Sequence, residues 1–403
     1  MRSLGALSVV LVALVARLLA MSSHWTDYDI RKTYDQLEYF VLAQNLKMHD
    51  TLSYGAPRRW IDQASLEAPG PFEPTAARPP LYPAVIAALW WGDEPPVQEV
   101  RLAQVVLGTL AALMAYLIAL QAFGFGAAML AGMATALGPL TLHLTALLYS
   151  ETLFTFLFTA SLWFWTQKRG ILAGLLLGAA ALTRSVCLPL IGIALVLALL
   201  TKFNRAVHLK LALAALLLVV PWTVRNAMTQ HAFIPIANVG WGANMLIGTI
   251  DVPYGSGNDW ITLGQDKEFI GIIQSAPTAD EAERRMSTLA AERIRAAPLH
   301  WFWVRLKQYP RFWLGTGDMI SMQPVVKYGY ILGAVLFWGL AVIGLFLARR
   351  RWRELYPLAL FPVLLAGAHF LGSAEERYSL GLVPVAAVFA GSAVIRMLRP
   401  RSL

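Results

Sequence analysis

Long apolar runs, each cut off by a short basic or polar stretch, dominate the pattern along the chain. A membrane-spanning helix needs about 20 mostly apolar residues. Runs of this kind cover 4–22, 102–120, 127–148, 152–166, 171–188, 189–201, 211–224, 328–348, 355–372 and 379–395. They predict about ten spans, and hence an all-α integral membrane protein whose residues 1–403 form a single polytopic domain. Only the break at Cys187-Leu188-Pro189 separates the fifth run from the sixth. The first run has features of a secretory signal. It is long, however, Arg17 interrupts it, and no small-residue cleavage site follows, so it reads as an uncleaved first span.

Two longer polar segments lie between spans. The first, 23–80, carries a helical stretch from Ile30 to Met48, read as an interfacial helix, and a Pro/Gly-rich loop from Gly55 to Pro80. The second, 226–327, opens with a Gly/Asn-rich loop from Asn238 to Asp259, followed by a helix from Glu281 to Ala297. Thr278 with Glu281 three residues on is a capping-box pattern, and Pro298 ends the helix. Beyond it, Trp301, Phe302, Trp303, Tyr309, Phe312 and Trp313 interleave with Arg305, Lys307 and Arg311. That mixture suits an amphipathic helix lying among lipid headgroups.

Composition agrees. The chain is 57% hydrophobic and only 14% charged, about half the usual charged share, which excludes a string of soluble domains. Its net charge of +9 suggests nucleic acid or an anionic surface until the charges are placed. Lys168, Arg169, Lys202, Arg205, Lys210, Arg349, Arg350, Arg351, Arg353, Arg396, Arg399, Arg401 and Arg2 all fall on one side of the alternating topology, with Glu354 as the single acidic residue there. By the positive-inside rule that side is cytoplasmic, and the opposite side carries a slight negative excess. The basic character therefore orients a multi-pass protein of a plasma membrane and gives no reason to expect nucleic acid. The single Cys187 excludes an intrachain disulfide framework.

Ionisable residues at the margins of apolar spans cost free energy and mark function by default. Asp35, Glu38, Arg78, Glu151, Arg184, Arg225, Glu375, Glu376 and Arg377 all map to the outer ends of helices, and no acidic residue sits near the middle of a span. Asp35 and Glu151 are carboxylates that could take a proton from an attacking hydroxyl or hold a divalent cation. Arg78, Arg184, Arg225 and Arg377 offer planar forks that fit phosphate oxygens. The bland alternative is arginines snorkelling to headgroups and carboxylates pairing with them. Glu38 and Glu376 read as solvated or structural. His143 and His369 read as packing residues, and the loop histidines have no metal-ligand spacing.

The motifs resemble the GT-C fold glycosyltransferases of bacteria, the group that includes the lipid A aminoarabinose and galacturonic acid transferases and the protein mannosyltransferases. The resemblance runs through Asp35-Gln36-Leu37-Glu38-Tyr39, Arg78-Pro79-Pro80-Leu81-Tyr82-Pro83 and Ser150-Glu151-Thr152-Leu153. It continues through Leu182-Thr183-Arg184, Pro221-Trp222-Thr223-Val224-Arg225-Asn226, Gly240 to Gly248 and Glu376-Arg377-Tyr378. It implies a polyprenyl-phosphate-linked sugar donor, an active site on the extracytoplasmic face of a bacterial inner membrane, and inverting transfer to a lipid, glycan or protein acceptor. It makes Asp35 the general base and Glu151 a second catalytic carboxylate. Arg78, Tyr82, Arg184, Arg225, Asn226, Arg377 and Tyr378 become the donor-phosphate and substrate contacts. No His or Asp partner for Glu151 is evident, so no cofactor is firmly implied and a divalent cation stays open. The outer loop of about 100 residues lacks the large soluble domain of the oligosaccharyltransferases, which argues against that branch. A transporter or flippase of a lipid-linked sugar is the rival; it predicts broken helices, inverted repeats and polar groups at mid-membrane, none of which the sequence shows, though Pro139 and Pro189 leave room for interrupted helices.

Overall fold

The computed structural model describes residues 1–22, 33–55, 70–238, 240–252, 259–315 and 323–398. Among them there is no strand, only a single bridge between Ser53 and Pro74. The helices run α1 Arg2–Ser22, α2 Tyr34–His49, α3 Leu81–Ala88, α4 Val97–Phe123, α5 Phe125–Leu137 and α6 Pro139–Ala146. Next come α7 Glu151–Thr166, α8 Gly170–Thr183, α9 Leu188–Leu200, α10 Arg205–Gln230, α11 Trp241–Ile247 and α12 Asp259–Leu263. The last are α13 Lys267–Ser275, α14 Ala279–Ala296, α15 Pro298–Gln308, α16 Pro310–Leu314, α17 Pro324–Leu347, α18 Trp352–Phe370 and α19 Val383–Leu398.

Every apolar run is helical, but the runs are unequal. By length and composition five helical segments are able to cross a membrane alone, in α1, α4, α10, α17 and Glu376–Leu398, or six with the bent pair α5–α6 counted as one. The expected span over 127–148 is this pair, bent by 43°. Pro139 causes the bend, because it has no N–H to give the Thr135 carbonyl four residues back. That oxygen accepts instead from Arg17 Nη2 (3.1 Å) and Thr141 Oγ1 (3.0 Å), and Arg17 Nη1 serves Ala136 (3.1 Å). Arg17, which interrupts the first run, is thus a buried cap for the end of α5.

The same device recurs. Arg101 donates to the Met21 carbonyl at the end of α1, Arg351 to Ala122 at the end of α4, Arg305 to Phe370 at the end of α18, and Arg396 to Leu347 at the end of α17. Helix C-termini carry unpaired carbonyls and partial negative charge, so a guanidinium there satisfies both.

Packing follows the small residues. Gly170, Gly174 and Gly178 recur every fourth position on α8 and lie against α10, where a Cβ on Gly174 would collide with the Leu211 carbonyl oxygen. Small residues at this spacing let two membrane helices approach to backbone contact. On α1 the buried residues are Gly5, Val9, Ala13, Arg17 and Met21, one stripe, while Leu4, Leu7, Leu11 and Val15 face outward. Apolar side chains outside and an apolar core inside are what a lipid solvent permits. α19 sits at the centre, buried continuously from Val383 to Ala393 between α5 and α17.

In the first loop segment, residues 36–43 of α2 are all buried, packed against α3 and the chain around Leu52, Tyr54 and Ala77. The expected start at Ile30 and most of the Pro/Gly-rich loop lie outside the described residues, as does part of the Gly/Asn-rich loop. In the second segment α14 begins as its sequence implies, with Thr278 Oγ1 accepting from the Glu281 amide (3.2 Å). Pro298 ends α14 and opens α15, where Leu299, Phe302, Trp303 and Leu306 are exposed. α11 to α14 form a small separate core around Leu246, Phe269 and Met286.

Candidate active site

α2, α7, α8 and the segment after α18 converge at one end of the bundle around a cavity of 510 Å³. Asp35 lies in the first turn of α2, Glu151 is the first residue of α7, Arg184 follows the end of α8, and Arg377 lies in the helical turn Glu376–Leu382 before α19. The described lining includes these four with Tyr39, Arg78, Tyr149, Trp241, Asn244, His369 and Tyr378.

Asp35 lies between two guanidiniums. Arg78 Nη2 donates to its Oδ1 (2.6 Å) and Arg377 Nη1 to its Oδ2 (2.7 Å). Arg78 also donates from Nε to Glu38 Oε2 (2.7 Å), and Tyr54 gives its hydroxyl proton to the other oxygen of the same carboxylate (2.5 Å). Glu38 is fully buried, so it is structural and not solvated. Arg377 reaches Glu375 through Nε (2.6 Å), and Arg184 pairs with Glu151 (2.7 Å). Three guanidiniums therefore face four carboxylates, and each guanidinium already has a partner.

Burial alone would raise the Asp35 carboxyl. The charges of Arg78 and Arg377, and the hydrogen bonds they donate, overcome that and hold it well below the usual carboxylate range. Burial pushes the Tyr149 phenol up to about 12, so it stays a neutral donor. The cations rest on aromatic faces. Arg184 and Arg377 flank Tyr378 at 4.8 and 5.0 Å, Arg377 also lies over Tyr149 at 5.2 Å, and Arg78 lies over Tyr39 at 5.7 Å. Cation–π contact holds a guanidinium in place without neutralising it.

The sequence candidates divide. Asp35, Arg78, Glu151, Arg184, Arg377 and Tyr378 come together around the cavity. Tyr82, Arg225 and Asn226 are not among its lining residues. Tyr82 is buried behind the wall, edge-on to Tyr39, and donates to Gln104 (2.9 Å). Arg225 donates to the Thr75 carbonyl (2.7 Å) and stacks on Trp222, while Asn226 donates to the Ile234 and Ile236 carbonyls. These two join the end of α10 to the loop chains beside it.

Sequence reasoning missed the roof of the cavity. Trp241 and Asn244 come from α11, whose first amides are held by the buried Glu283 carboxylate at Gly240 N and Gly242 N (2.7 Å each). Gly240 has φ +100° and Gly242 has no room for a Cβ against the Glu283 backbone, so both glycines are required. The Gly240-Trp241-Gly242 run was the available signal. These amides are already satisfied by the Glu283 carboxylate.

The donor set does not fit a resident divalent cation. Both Asp35 oxygens and Glu151 Oε1 engage guanidiniums, and among the described residues no three His, Cys, Asp or Glu gather at ligating distance.

Among the described residues the chain is an all-helical, multi-pass membrane bundle with a guanidinium–carboxylate cluster at one end. Its fold is the GT-C fold. The Archaeoglobus fulgidus oligosaccharyltransferase, solved with a tethered acceptor peptide containing the NVT sequon, superposes with a TM-score of 0.57 at 14% identity over 97% of this chain. The same archaeal enzyme, AglB, in complex with an inhibitory peptide and a dolichol-phosphate, gives 0.56 at 14% identity over 97%. This chain spans about half the length of those chains, 49% and 50%. ArnT from Cupriavidus metallidurans bound to undecaprenyl phosphate aligns over 97% of this chain and 77% of its own, with 15% identity and a TM-score of 0.45. No protein-family model and no curated protein matches the sequence.

Proposed function

We propose that the protein is a membrane glycosyltransferase that moves a sugar from a polyprenyl-phosphate donor to a hydroxyl of a lipid, glycan or protein acceptor on the extracytoplasmic face of a bacterial plasma membrane. The observation that carries this reading is Asp35, held between Arg78 and Arg377 in a cavity at one end of the bundle. The shared fold with a lipid-linked-sugar transferase supports it.

In the reaction the acceptor oxygen attacks the anomeric carbon from the face opposite the phosphate. The carbon–oxygen bond to the phosphate breaks, its electron pair leaves with the polyprenyl phosphate, and the acceptor proton passes to the Asp35 carboxylate. Charge develops on the leaving phosphate, and preorganised cations there are the largest catalytic contribution. Arg78 and Arg377 are the cations in question, and while both hold Asp35 it is a poor base. A donor phosphate that draws them away raises the basicity of Asp35 just when an acceptor needs it. Base activation would thus depend on donor occupancy. Arg184 and Glu151 remain paired and frame the sugar.

The test is transfer of radiolabel from a polyprenyl-phosphate sugar by the purified protein in proteoliposomes, with an envelope lipid extract as acceptor. A labelled product is expected. Movement of the donor lipid across the bilayer with no glycosylated product would replace this reading with the flippase.

A further inference from the structure

A second cavity, of 300 Å³, lies at the other end of the bundle. α7 starts at Glu151 in the first cavity and ends at Thr166 beside the second, and α18 runs the opposite way between them. At 1.5 Å per residue these helices separate the two cavities by roughly 25 Å, close to the thickness of a bilayer's hydrocarbon core.

Its charged lining is Lys168, Arg351, Arg353 and Glu354, with Gln121, Asn204, Thr166 and Tyr356 among its neutral polar residues. Glu354 is committed to Arg351 at 2.6 Å, and Arg351 also caps the Ala122 carbonyl. Lys168 and Arg353 are exposed and have no carboxylate partner among the described residues, so the cavity mouth carries two positive charges beyond the Arg351–Glu354 pair. Phe203, on the lining and 39% exposed, packs 6.3 Å from Trp352, which is 58% exposed. Exposed aromatic rings beside unpaired basic residues, one bilayer thickness from the opposite site, form the chemistry of a lipid headgroup region.

We propose that this cavity binds the phosphate of an anionic membrane phospholipid, with Lys168 and Arg353 neutralising the headgroup and the Phe203–Trp352 rim lying along the glycerol region. The phosphate chemistry alone also fits a free anion; the exposed aromatic rim and the cavity's place at the opposite end of the apolar helices from Asp35 favour the lipid. The site is separate from the transfer chemistry and does not rest on it.

The test is native mass spectrometry of the full-length protein released from detergent after titration with phosphatidylglycerol or phosphatidylcholine. The wild type is expected to retain one phosphatidylglycerol about 30-fold more tightly than the Lys168→Ala/Arg353→Ala double variant, the equivalent of ~2 kcal/mol for two basic residues at a membrane surface. Phosphatidylcholine binding should be the same in both. Glu354→Gln frees Arg351 and should tighten phosphatidylglycerol several-fold. Equal retention by the double variant, with unchanged circular dichroism, overturns the site. Displacement of the lipid by excess inorganic phosphate overturns the lipid assignment in favour of a free anion.

Discussion

Arg78 joins two carboxylates of different character, and removing it separates their roles. Arg78→Ala takes the guanidinium from the fully buried Glu38, which keeps the hydrogen bond from Tyr54, while Asp35 keeps Arg377. Breaking a buried pair from one side costs about 3–5 kcal/mol. The Arg78 side chain is 22% exposed, so the lower end, about 3 kcal/mol, applies. Adding Glu38→Gln removes the charge that Arg78 paired with while keeping an acceptor for Tyr54, and should recover part of that loss. Donor use responds differently. A lost charge-assisted hydrogen bond to the donor phosphate is worth about 1.5–3 kcal/mol, or a rise in donor KM of roughly 10- to 150-fold. Glu38→Gln has no means of restoring that contact. The assay is thermal unfolding in detergent alongside transfer kinetics for both single variants and the double. Stability should return in part in the double variant while donor KM stays high and acceptor KM changes little. Recovery of both together would show that Arg78 acts only by supporting Glu38, and would refute its phosphate role.

Three further outcomes follow from the structure. The Asp35 carboxyl is depressed in the folded state, so its ion pairs contribute stability fully above the unfolded value of about 3.9, and that contribution is lost as the pH falls through the lower folded value. The unfolding difference between wild type and Asp35→Asn, measured without donor, should hold constant from about pH 8 to 5 and narrow only in stronger acid. Glu283→Ala strands the amides of Gly240 and Gly242 and should cost about 3 kcal/mol, with proteolysis or hydrogen exchange localising the loss to α11 and the cavity roof. Gly174→Leu should force α8 from α10 and lower yield and thermal stability, whereas Gly192→Leu, where a Cβ meets open space, should be tolerated.

Hydropathy located the long apolar runs, all of them helical, and the margin on which the charges gather, because burying a polar group in lipid is costly enough to show in composition alone; short helices such as α3, α11 and α13 left no such mark. The α14 cap at Thr278 and its stop at Pro298 were legible for the same local reason: a few adjacent residues determine them. What the sequence could not display was partnership. A window average sees Gly170, Gly174 and Gly178 as part of an apolar run and not as a contact with α10. It counts 127–148 as one span, although the missing N–H of Pro139 bends it. Arg225 carries the same side chain as Arg78 at a similar helix margin, yet one binds a loop carbonyl and the other a cavity-lining carboxylate. Burial of Glu38 and of residues 36–43 depends on chain segments distant in sequence, so periodicity within α2 gave no sign of it.

The central claim is that Asp35 takes the acceptor proton in a donor-dependent transfer. Its most direct measurement is single-turnover sugar transfer by purified Asp35→Asn protein in proteoliposomes, with donor binding measured on the same sample. Donor binding should persist, since Arg78 and Arg377 remain, while transfer falls by about 10²- to 10⁴-fold, the contribution of a general base. Transfer at the wild-type rate by a folded, donor-binding Asp35→Asn protein would contradict the mechanism.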